Sequence, residues 1–123
     1  MVDNMADCII VSTPFVSGYK ITKNVGFTWG LIVRSRGIGG NIVAGLRTIA
    51  GGEIHEYTQL LNESRSQAIE RMKEHATAMG ANAVISVGFD SSELGQSMTE
   101  VLAYGTAVVV EPETAPSSPV RLT

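Results

Sequence analysis

Apolar residues recur along the chain at two spacings, and the spacing changes near residue 41. Residues 8–12 (CIIVS) are a short β-branched run closed by Thr13-Pro14. Proline has no N–H to give a sheet ladder, so it ends or edges that strand. Ser17-Gly18 is a turn signal. Residues 19–23 (YKITK) alternate apolar and polar, Asn24 interrupts, and residues 25–34 (VGFTWGLIVR) resume a strand pattern through Val25, Phe27, Trp29, Ile32 and Val33. Gly26 and Gly30 inside this stretch predict a bulge, a bend or the close approach of another backbone.

From Asn41, a capping residue, the period lengthens. Ile42, Val43, Leu46, Ile49 and Ala50 fall at helical spacing, and Gly51-Gly52 ends that short helix. A second helix is predicted from Glu53 to Gly80. Its apolar positions are Ile54, Tyr57, Leu61, Ala68, Met72, Ala76 and Met79, and Glu53 and Glu56 complement the dipole in its first turn. Period-two patterning returns in residues 81–90 (ANAVISVGFD) and 98–110 (MTEVLAYGTAVVV), separated by a loop over 91–97. Strands joined by short connections pair antiparallel. The expectation is an α+β domain over residues 7–111, ordered β-β-α-α-β-β, with an antiparallel sheet carrying its helices on one face. Residues 1–6 are expected to be disordered, as is the Pro/Ser-rich tail over 112–123.

Composition refines this picture. Apolar residues make up 44% of the 123-residue chain and charged residues 17%, below the roughly 25% usual for soluble domains. A surface so short of charge points to self-association. The net charge of −3 disfavours nucleic acid or an anionic membrane as the main partner. No run of residues approaches the ~20 apolar positions that span a bilayer, and the N-terminus lacks a basic signal-peptide region. Cys8 is the only cysteine, so no intrachain disulfide forms. A reducing cytoplasm is the expected location.

The candidate chemistry is sparse. The possible metal ligands are Cys8, His55, His75 and scattered carboxylates, and no CxxC, HxxxH or HExxH occurs. On one helix His55 and His75 stand ~30 Å apart, so a divalent or heavy metal would have to be held between subunits. Residues 35–41 (SRGIGGN) form a glycine-rich junction where backbone N–H groups, Arg34 and Arg36 could hold an anion. That junction matches neither dinucleotide nor P-loop spacing, and is read first as a flexible turn with small residues for close packing. No GxSxG elbow is present, and no catalytic residue is nominated.

One ordered series of motifs carries a resemblance. S-T-P-F-x-x-G-Y occupies residues 12–19, and N-x-x-A-G-L-R-x-I-x-G-G-E residues 41–53. Tyr57 and R-x-x-A-x-x-x-M at 65–72 follow, then M-G-A-N-A-V-I at 79–85 and G-T-A-V-V-V at 105–110. Over residues 9–111 the chain resembles the YbjQ family, labelled heavy-metal-binding. The resemblance implies a subunit related in style to dodecin-like folds, assembled in rings of five, without an established activity. It directs attention to Arg47 and the Gly51-Gly52-Glu53 turn. With Arg34, Arg36 and Tyr57 these make the candidate ligand site. Three readings stay open: a non-enzymatic homo-oligomeric binding or scaffold protein, a metal-binding protein with sites between subunits, and an anion-binding module or small enzyme at the glycine turns.

Overall fold

The computed structural model describes residues 8–35, 55–94 and 98–113, the side chains of 55–57 and 94 excepted. Along the chain these residues form β1 (Ile9–Ile10), β2 (Tyr19–Ser35), α1 (His55–Ala78), β3 (Ala83–Leu94) and β4 (Met98–Pro112). The expected helix over 41–50 and both chain ends lie outside the described residues.

The four strands form one sheet in the order β1-β3-β4-β2. β3 and β4 make the predicted antiparallel hairpin. The first two strands do not pair with each other, which corrects the expectation of an N-terminal hairpin and an all-antiparallel sheet. β2 instead runs antiparallel to β4, from Tyr19 opposite Pro112 to Ser35 opposite Met98. β1 lies parallel to β3, with Ile9 beside Ala83. The cause is the connection between β1 and β2. Val16 on it is buried against Ala83, Ile85, Val108 and Val110, so this segment crosses one sheet face instead of making a tight turn.

Two strand boundaries also move. Asn24 does not break β2; the strand continues through register shifts between Ile21 and Lys23 and between Asn24 and Gly26. Residues 91–94, expected in a loop, extend β3 and pair with β4 as far as Leu94 opposite Met98.

α1 packs on the other sheet face, against β2 and β4. Ala68, Met72 and Ala76, four apart, are wholly buried with Ile32, Val84, Val101, Ala103 and Ala107. Small residues on both sides allow a very close approach. A Cβ built on Gly30 would fall on the Ala68 carbonyl oxygen and the Met72 amide nitrogen, so the close backbone approach read from this glycine is its role. The helix ends as predicted at Gly80, where φ is +97°. Gly80 N donates to Thr77 O at 2.9 Å and Ala81 N to Ala76 O at 3.0 Å, the paired bonds of a Schellman cap.

Candidate functional site

Because side chains alternate across a strand, β2 presents two distinct faces. Thr28, Gly30 and Ile32 are buried beneath α1, while Phe27, Trp29, Leu31 and Val33 stay 61, 45, 39 and 47% exposed on the opposite face. Their register partners on β4 (Thr106, Tyr104, Leu102 and Glu100) share that outer face. Phe27 stacks near Trp29 at 5.6 Å and near Tyr104 at 6.5 Å between ring centroids. Among the described residues, the large apolar side chains left a third or more exposed also include Phe15, Tyr19, Ile21, Phe89 and Met98. All but Phe15 and Phe89 belong to this outer face by register. The sequence pattern contains the stripe, but both parities of β2 are apolar or small, and only the glycine beneath the helix decides which one turns outward.

Along the edge of β2 that faces away from β4, which has no strand partner among the described residues, α1 contributes a row of polar side chains. Gln67 Oε1 accepts from Arg34 Nη2 at 2.9 Å. Arg71 Nη1 donates to the Leu31 carbonyl oxygen at 3.1 Å. His75 Nδ1 is hydrogen-bonded to Thr28 Oγ1 at 3.0 Å, and its ring meets Trp29 edge-on with centroids 4.5 Å apart. Thr28 is fully buried, so the imidazole satisfies a hydroxyl that would otherwise lose its partner to burial. On the far flank of α1, Asn62, Arg65, Ser66, Ile69, Glu70 and Phe89 line an open groove of about 410 Å³. There the Arg65 guanidinium lies 5.6 Å from the Phe89 ring centroid. Neither the edge row nor the groove was anticipated, since each needs the strand order to bring its members together.

The sequence-predicted candidates do not come together among the described residues. Arg34 is turned to Gln67 and borders a narrow crevice with Leu60, Leu61, Ser64 and Val101. Arg36, Arg47, Gly52 and Glu53 lie outside the described residues, and the side chains of His55 and Tyr57 do too. Cys8 is buried in the core beneath α1. Burial pushes its thiol above the ordinary value of 9.0, and Lys73 draws it part of the way back. A heavy metal needs several convergent donors. No three His, Cys, Asp or Glu side chains among the described residues are placed to share an ion, and the His75 ring is engaged by Thr28 and Trp29. Within one chain, these residues do not fit a metal centre.

The model of the YbjQ family, described as "Putative heavy-metal-binding", matches residues 8–111. The chain belongs to this family. A UPF0145 protein of Methanocella arvoryzae is 78% identical to this YbjQ-family chain, over 94% of it and 97% of that protein. A UPF0145 protein of Bradyrhizobium sp. is 56% identical over 85% of the chain and 94% of that protein. A protein of unknown function from Pediococcus pentosaceus, assigned to the DUF74 family, superposes with a TM-score of 0.57 at 14% identity, covering 84% of this chain and 97% of that one. That likeness concerns the fold alone. Among the described residues, no helix of this YbjQ-family member is long and apolar enough to cross a membrane.

Proposed function

We propose that this YbjQ-family chain is a non-enzymatic, self-associating binding or scaffold protein that works as a homo-oligomer in the cytoplasm. The apolar stripe on the outer face of the sheet, exposed beyond the part that the Val16 segment covers, carries this reading. An aromatic side chain covers roughly 150–250 Å² when buried. The exposed fractions of Phe27, Trp29, Leu31, Val33 and Met98 therefore leave on the order of 400–500 Å² of apolar surface open in one stripe. That is about half of the ~800 Å² each partner buries in a standard interface, enough for its dry centre. The low charge content agrees, because an apolar face needs no charged counterpart and a second copy supplies a matching one. Rings of five, as the family resemblance implies, are one way to arrange the copies. Size-exclusion chromatography with light scattering tests the reading. More than one subunit per particle is expected at micromolar concentration, and a clean monomer would remove it.

A second reading rests on the family description. His55, His75 and Cys8 from different copies would then supply the donors that one chain does not bring together. Elemental analysis of untagged protein decides it: a metal content well below one ion per intersubunit contact rejects it.

A further inference from the structure

Between Ile85, opposite Thr106, and Gly88, opposite Tyr104, β3 advances three positions while β4 advances two. The extra residue makes a bulge, and at it Ser86 takes a left-handed backbone with φ 54°, a conformation costly to most residues other than glycine and asparagine. Bonds from the β1 side hold it there. Ser86 N donates to Thr13 O at 2.9 Å and Val87 N to Val11 O at 3.1 Å.

An inserted residue reverses the alternation of side chains beyond it. Ile85 lies on the outer face with Val16, and in an unbroken strand Val87 and Phe89 would follow it there. Instead Val87 packs against the core beneath α1, and Phe89 pairs with Ala103, a buried member of that core. Gly88 turns outward under the Tyr104 hydroxyl, which a Cβ at this position would approach to 2.8 Å. The bulge thus carries the Phe89 ring to the flank of α1, against Arg65. Bulges re-aim side chains next to binding sites, and backbone strain gathers there.

The groove on this flank is lined by that ring and by two rows of α1. Ile69 and Phe89 supply apolar surface, and the Arg65 guanidinium lies over the ring at 5.6 Å from its centroid. Stacking engages the face of a guanidinium and leaves its N–H edge to meet a carboxylate through two parallel bonds. Asn62 and Ser66, four apart and so on one side of the helix, add an amide and a hydroxyl to the lining. The carboxylate of the groove, Glu70, is drawn to Lys73 at 3.5 Å. Apolar surface with a few orienting polar groups, in a volume of about 410 Å³, has the character of a small-ligand site.

We propose that this groove binds a small aromatic carboxylate, its ring on Phe89 and Ile69 and its carboxylate on the Arg65 guanidinium. A ring without the charge leaves the guanidinium edge unanswered, and an anion without the ring leaves the apolar floor wet. The site belongs to the flank of α1 and stands apart from the self-association reading.

Calorimetric titration of the full chain with naphthoate tests it, with circular dichroism as the check on folding. Saturable binding is expected, with a Kd below about 1 mM. Naphthamide, which keeps the ring without the charge, and acetate, which keeps the charge without the ring, should each bind at least tenfold more weakly. Arg65→Gln and Phe89→Leu should each weaken naphthoate at least tenfold with unchanged circular dichroism. If Phe89→Leu does not fold, Arg65→Gln, at an exposed side chain, decides alone. Absence of saturable naphthoate binding, equal binding of naphthamide or acetate, or unchanged affinity in either folded variant overturns the proposal. Each of these results leaves the particle mass, and with it the self-association reading, untouched.

Discussion

Gly30 and Cys8 show how closely the helix side of the sheet is packed. At Gly30 an added methyl group would meet backbone atoms of α1, which cannot swing aside as a flexible side chain can. Gly30→Ala is expected to cost about 1–3 kcal/mol as the helix is pushed off the sheet, read as a lower urea midpoint. Cys8 reports burial through its ionisation. Its thiol is held above 9.0 when folded, chiefly by desolvation. The neutral thiol therefore favours the folded state fully below the ordinary thiol value. This contribution is lost as pH rises past that value toward the higher folded one. Urea midpoints are expected to fall above about pH 9 for this reason, and Cys8→Ala should remove that part of the fall. Iodoacetamide should label the native thiol far more slowly than the thiol in urea.

The end of α1 and the start of β3 form one device, spread over the stretch Met79–Val84. Gly80 closes the helix with positive φ, and nothing lies within 4 Å of a Cβ placed there. The penalty for Gly80→Ala is then backbone strain alone, about 1–2 kcal/mol, measurable as a lower melting temperature with unchanged secondary structure. Two residues later Asn82 Nδ2 donates to Val110 O at 3.0 Å, while Val110 N donates to Asn82 Oδ1 at 2.8 Å. Its side-chain amide thus stands in for one more rung of the ladder. Removing it in Asn82→Ala should cost about 1–3 kcal/mol by leaving both Val110 groups unpaired. The capping glycine was legible in the sequence because a left-handed helix end favours glycine over other residues. The role of Asn82 was not, because its partner is brought in by β4. The same divide separates the strands. The β3–β4 hairpin follows from a short connection, whereas the parallel seat of β1 depends on a strand that comes late in the chain. The outward stripe of β2 was half legible: Phe27 and Trp29 were visible as strand formers, but their exposure follows from α1 choosing the smaller face.

The single tryptophan sits within the exposed stripe, so it doubles as a reporter of the whole particle. Dilution through the dissociation range is expected to shift Trp29 emission to the red, with a midpoint matching the loss of mass in light scattering. Emission that stays constant while the mass falls would place the contact elsewhere. An association driven by apolar contact should also vary little between low salt and about 0.5 M salt, where surface charge pairs are heavily screened. The strand order has a consequence for biosynthesis. Ile9 is seated beside Ala83, and Tyr19 opposite Pro112. Neither of the first two strands can reach its place until the last third of the polypeptide has left the ribosome. Nascent β2, with its aromatic residues, therefore travels without its sheet, and its residence in that state is set by the speed of translation. Such long-range closure is intrinsically slow, so this stretch is where a holdase chaperone would first find something to hold.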